Sequence, residues 1–118
     1  MSEQTVFGKM LTGEIPVDPV LENDHVLAFH DIAPQAPVHI LIIPKTTAYK
    51  DVTELASGDP ELLAKIVAAA KEIANEFGNG EFRLVFNNGA SAGQTVFHVH
   101  AHVLIGDLTE SNTSTTEK

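Results

Sequence analysis

Apolar residues recur along this chain in two rhythms. From Leu62 to Phe77 they fall at Leu62, Leu63, Ile66, Val67, Ala70, Ile73, Ala74 and Phe77. Steps of three and four place them along one face of an amphipathic helix. The residues just before form a helix start. Asp59 can accept a hydrogen bond from an orphan N–H, Pro60 suits the first helical position, and Glu61 favours the positive end of the helix dipole. The spacing predicts a helix over 60–77, ended by Gly78, with Asn79-Gly80 turning the chain.

Elsewhere the pattern is that of extended chain. Val38–Pro44 is apolar and β-rich and reads as a central strand. Val20–Glu22 and Val26–His30 read as two strands turned by Asn23-Asp24. Glu81–Phe86 and a long segment, Val96–Ile105, read as two more, separated by the glycine-bearing loop Asn87–Thr95. Thr5 can cap one or two helical turns over 5–12, with Gly13 ending them. Pro16 and Pro19 mark extended chain, and Pro34 and Pro37 bracket a rigid loop. The expectation is an α+β domain over residues 1–107: an antiparallel five-stranded sheet with one main helix on one side and a short N-terminal helix. Residues 108–118, LTESNTSTTEK, are polar without period and are expected to be a disordered tail.

Composition narrows the partners. The 118 residues are one ordinary domain, 43% hydrophobic and 19% charged, which is a globular balance. A formal charge of -9 repels polyanions, so no nucleic-acid partner is expected. It leaves room for a phosphorylated small molecule, because backbone N–H groups and a few histidines can build a local anion site. The chain holds no cysteine, which removes disulfide and thiolate chemistry and fits a cytoplasmic location. Met1–Leu11 lacks the apolar core of a signal peptide, and no apolar run approaches a membrane span, so no membrane partner is expected.

The chemistry concentrates in Val96-Phe97-His98-Val99-His100-Ala101-His102-Val103-Leu104. On a strand, His98, His100 and His102 share one face, while Val99, Ala101 and Val103 take the other. Three readings compete. The first is a solvated face with incidental histidines. The second is a metal site, although the outer two histidines would stand about 13 Å apart, so an ion would need two of the three plus His39 or Asp31. The third is covalent catalysis, in which the central imidazole attacks an electrophile and its neighbours supply hydrogen bonds and protons.

The run from His98 to Leu104 resembles the signature of the histidine triad (HIT) superfamily: histidine, apolar, histidine, apolar, histidine, two apolars. About residues 5 to 106 are similar to its HINT branch, the purine nucleoside phosphoramidases, in particular bacterial ones. The other anchors are Phe7-Gly8-Lys9, Glu14-Ile15-Pro16, the block Leu27 to Pro37, His39, Ile43-Pro44-Lys45, Asn87 and Gly93-Gln94-Thr95. The resemblance implies roles. His100 is the nucleophile, attacking the α-phosphorus through Nε2 to give a nucleotidyl-histidine that water hydrolyses. The backbone carbonyl of His98 accepts its Nδ1–H. His102 hydrogen-bonds the phosphate, and His39 is the fourth histidine of the site. His39, His98 and His102 are all candidates for protonating the leaving amine. The loop supplies phosphate contacts from Asn87, Gly93 and Thr95, where the family more often has serine than threonine, and Gln94 is a further nucleotide-binding residue. Asp31 takes the two ribose hydroxyls, and Phe7, Ile15, Phe29 and Ile32 line the base pocket. For Phe7 and Ile15 plain core is an equal reading. His25 and His30 receive no role.

The resemblance further implies a purine nucleotide or nucleoside phosphoramidate as ligand, no cofactor, no metal, and a symmetric homodimer built on helix 60–77 and strand 81–86. The chain lacks the tryptophan common near the end of that branch, which leaves the leaving-group preference open. Two rivals stand beside phosphoramidate hydrolysis: a dinucleoside polyphosphate hydrolase, which would use the same nucleophile, and a non-catalytic purine-nucleotide sensor.

Overall fold

A computed structural model describes residues 4–108 of the chain. In chain order its elements are α1 (Val6–Thr12), β1 (Leu21–Glu22), β2 (Val26–His30), β3 (Val38–Pro44), α2 (Val52–Gly58), α3 (Pro60–Phe77), β4 (Arg83–Val85), a 3-10 turn (Ala90–Ala92) and β5 (Ala101–Ile105). The strands form one antiparallel sheet ordered β1-β2-β3-β5-β4. This is the α+β architecture expected from the sequence.

The local signals act as their chemistry requires. Asp59 accepts from the Leu62 N–H at 3.1 Å and Pro60 opens α3. Thr5 Oγ1 accepts from the Gly8 N–H at 3.0 Å, and Gly13 closes α1 in the left-handed conformation, with φ of 85°, that favours glycine.

Strand alternation then sorts the sheet into two faces. Val26, Ala28, Ile40, Ile42, Val99, Ala101, Val103 and Ile105 pack under α2 and α3, against Leu55, Ile66 and Ile73. Leu27, Phe29, Leu41 and Ile43 point the other way and meet Phe7 of α1. His39 and His102 have the same parity as Leu41 and Leu104 on their strands, so they lie on the α1 face. The register brings them near one another, because Leu41 pairs with His102 and His39 with Leu104.

Four expectations need correction. Helix α2 was not foreseen. Asp51 caps it, accepting from the Glu54 N–H at 2.9 Å, while the Glu54 carboxylate accepts from the Lys50 N–H at 3.0 Å. The long strand 96–105 is paired only from Ala101 onward. The register would set Val99 opposite Pro44, which has no N–H, and the Pro44 carbonyl is taken by the His98 ring at 3.1 Å. The ladder therefore cannot continue. Strands β1 and β4 are likewise shorter than the segments 20–22 and 81–86. Finally, the apolar stripe of α3 is split: Leu62, Ile66, Ala70, Ile73 and Ala74 are buried with Ala69, Leu63 is half-buried, and Val67 and Phe77 are exposed. Of the expected tail, everything beyond Leu108 lies outside the described residues.

Candidate active site

The three histidines are not on a solvated face. His98, His100 and His102 are 1–3% exposed, as is His39. Only His102 belongs to β5. His98 and His100 sit in the unpaired extended chain before it, yet Val99 still joins the helix-side core, so the inward-outward alternation persists past the end of the ladder. The rings of His100 and His102 are 5.2 Å apart between centroids, and so are those of His39 and His102.

Hydrogen bonds fix the proton positions. His100 Nδ1 lies 2.8 Å from the His98 carbonyl oxygen. A carbonyl only accepts, so Nδ1 carries the proton and Nε2 of the neutral ring keeps its lone pair. His98 Nε2 donates to the Pro44 carbonyl at 3.1 Å. Burial holds the His98 imidazole below its ordinary value, against the pull of that carbonyl, which keeps His98 neutral and the segment anchored. Phe7 lays its ring edge-on against His100 at 5.0 Å and His98 at 6.1 Å, so it is at once core and wall of the site.

A second constellation joins three distant parts of the chain. The Asp31 N–H donates to the His39 carbonyl at 2.9 Å, extending the β2–β3 pairing by one step. Asp31 Oδ2 then comes 3.3 Å from His39 Nε2, which is 3.0 Å from His102 Nδ1. Candidate ligand atoms of Asp31, His39 and His102 lie within 4.8 Å of one another. That set is one triad histidine plus both His39 and Asp31, rather than the two-plus-one considered above. The Gln35 N–H donates to His39 Nδ1 at 2.9 Å. An ion on Nε2 would require the ring proton at Nδ1, where that amide already points, so the pattern favours a hydrogen-bonded chain over a metal centre.

Beside the histidines is a cavity of about 420 Å³ lined by Val6, Phe7, Met10, Pro16, Val17, Asp18, Phe29, His30, Ile32 and Leu41. Three of the four expected base-pocket residues, Phe7, Phe29 and Ile32, are in its wall. Ile32 lines the cavity although it is 95% exposed. Ile15 is not in the wall; it is half-buried, its N–H donating to the Lys9 carbonyl at 3.2 Å, and Pro16 and Val17 line the cavity instead. His30, given no role above, contributes to the rim.

The loop from Asn87 to Thr95 is shaped by Gly89 and Gly93, both at φ near 100°, on either side of the 3-10 turn. Val85 pairs with His102, so Asn87, two residues on, comes level with His100. Gln94 is placed differently from the expected nucleotide contact. It is 2% exposed, its Oε1 accepts from the Gly89 N–H at 2.8 Å, and its Nε2 donates to the Lys50 and Val96 carbonyls at 2.7 and 3.0 Å. Its side chain holds the loop rather than facing a ligand.

The family model for the HIT domain matches residues 12–108. The chain belongs to the HIT family. It is 50% identical over 110 residues to an uncharacterized HIT-like protein of Synechocystis sp., covering 90% of this chain and 93% of that one. It is 41% identical over 108 residues to the purine nucleoside phosphoramidase of Escherichia coli K12, covering 90% of each. The crystal structure of a HIT family hydrolase from Legionella pneumophila superposes with a TM-score of 0.80 at 45% identity, covering 87% of this chain and 93% of that one. Among the described residues of this HIT domain, no helix is long and apolar enough to cross a membrane.

Proposed function

We propose that this chain hydrolyses the P–N bond of purine nucleoside phosphoramidates, including aminoacyl-nucleotide adducts, through a nucleotidyl-histidine intermediate. The observation that carries the reading is the His100 Nδ1–H bond to the His98 carbonyl, which leaves the Nε2 lone pair as the nucleophile. Nε2 attacks the α-phosphorus, the P–N bond breaks, and the leaving nitrogen takes a proton. Water then attacks the same phosphorus and breaks the P–Nε2 bond, releasing the nucleoside monophosphate and restoring His100. His102 donates from Nε2 to a phosphoryl oxygen. The cavity beside Phe7 takes the base, and Asp31, between the cavity residues His30 and Ile32, takes the ribose hydroxyls. Asn87, Gly93 and Thr95 face the phosphate. The likeness to the Escherichia coli phosphoramidase supports the choice of bond.

The same reading includes a homodimer across α3 and β4, supported by the exposed apolar side chains of Val67 and Phe77, and a cytoplasmic location, supported by the absence of cysteine. The test is hydrolysis of an adenosine phosphoramidate by the wild type and by His100→Ala. Loss of about 10³-fold or more in kcat, with fold and nucleotide binding retained, is the expected result. Equal rates in the two proteins would overturn the reading. Preference for a diadenosine polyphosphate would replace it with the polyphosphate hydrolase, and binding without turnover with the sensor.

A further inference from the structure

Asp31 is buried more deeply than a residue that only meets a sugar needs to be. Its side chain is 1% exposed, and it is flanked by the cavity residues His30 and Ile32 without being part of the wall itself. One carboxylate oxygen accepts from the Ala33 N–H at 2.8 Å. The other is 3.3 Å from His39 Nε2. At the far end of the same imidazole, Nδ1 accepts from the Gln35 N–H at 2.9 Å. One short loop, residues 31–35, thus presses a negative charge against one ring nitrogen and an amide proton against the other. Both act in the same sense and keep the ring proton of His39 on Nε2. That N–H faces His102 Nδ1 at 3.0 Å, so His102 accepts there and holds its own proton on Nε2. The His39 side chain is itself 1% exposed, so little water screens the charge.

We propose that Asp31 is a positioning residue as well as a sugar contact: acting through His39, it locks His102 in the tautomer whose Nε2–H points at the phosphoryl group. This rests on the reading of the site as a nucleotidyl-transfer centre. A residue that reads only ribose affects substrates that carry ribose. A residue that sets the tautomer of His102 affects turnover of any phosphoramidate the site accepts. Asparagine separates the two roles, because it keeps the shape but replaces one carboxylate oxygen with an N–H₂ donor. If that donor faces His39, it opposes a proton on Nε2 while Gln35 still opposes one on Nδ1.

The experiment measures kcat and KM for the wild type and Asp31→Asn on two substrates, adenosine phosphoramidate and an adenine phosphoramidate with an acyclic linker in place of ribose. Ring-nitrogen NMR of the full chain reads the tautomers without any substrate. The expected result is a kcat lowered about 100-fold on both substrates, the low end of what a positioned proton-transfer group contributes, with KM raised only on the ribose substrate. In the spectra, His39 and His102 are both protonated at Nε2 in the wild type and lose that uniform state in Asp31→Asn. A change confined to KM on the ribose substrate, or unchanged tautomers in the variant, overturns the proposal. If the wild type hydrolyses neither substrate, the phosphoramidase reading fails, and the spectra alone then decide: altered tautomers in Asp31→Asn support the positioning role and unaltered ones refute it.

Discussion

Replacing Gln94 by alanine removes three hydrogen bonds at once. Its amide is buried and spans three points of the backbone: Gly89 at the start of the loop, Lys50 before α2, and Val96 on the way to the histidines. A net 0.5–1.5 kcal/mol for each bond gives roughly 1.5–4.5 kcal/mol for the set. Gly89 and Val96 are half-buried residues and Lys50 an exposed one, so the groups left behind regain part of this through water. We expect Gln94→Ala to lose about 2–3 kcal/mol, read as a lower midpoint in urea unfolding with unchanged slope. Gln94→Glu gives the sharper contrast. The acceptor for Gly89 survives, but the donor becomes a carboxylate oxygen set against two carbonyl oxygens at 2.7 and 3.0 Å. The glutamate variant is therefore expected to be less stable than the alanine variant, although it is closer to glutamine in size. Wild-type stability in both variants, with only KM for nucleotide raised, would refute this reasoning and return Gln94 to the role of nucleotide contact.

Two more outcomes concern the pH dependence of stability and the exposed face of α3. Because His98 binds protons less readily in the folded than in the unfolded chain, its contribution to stability is complete above about pH 6.5 and declines as the pH falls towards its folded value. Asp51, held below its ordinary carboxylate value chiefly by the Glu54 N–H, adds stability above about pH 4 that is lost at lower pH still. Melting temperatures should fall between pH 7.5 and 4 through His98 and further below about pH 4 through Asp51, and His98→Gln should flatten the upper part of that slope; an unchanged slope counts against the assignment. Sedimentation should give twice 12.7 kDa, and Phe77→Glu together with Val67→Glu should return it to 12.7 kDa without unfolding the domain; a wild-type mass of 12.7 kDa at micromolar concentration excludes the dimer.

Much of the frame was legible because its signals are local. Asp59-Pro60-Glu61 and a sustained period mark α3 to the residue, and Val26–His30 and Val38–Pro44 are bounded by turn residues as read. Helix α2 escaped because only Leu55 of its seven residues is buried, too few to show a period; the aspartate and glutamate three apart, Asp51 and Glu54, were its one visible mark. The early end of β5 could not be read from its own residues, since the cause is a proline on the neighbouring strand. The histidine face was legible from alternation alone. The Asp31–His39–His102 cluster was not, because it depends on the register of three strands and joins residues 63 positions apart. Gln94 shows the same limit on a smaller scale: in a glycine-bearing loop, nothing local says which way an amide turns.

The double displacement at phosphorus proposed for His100 leaves a stereochemical signature. Hydrolysis of a phosphoramidate made chiral at phosphorus with sulfur or oxygen isotopes should proceed with net retention, because two in-line displacements each invert the centre. Net inversion would mean that water attacks the substrate itself, and would contradict the role assigned here to His100.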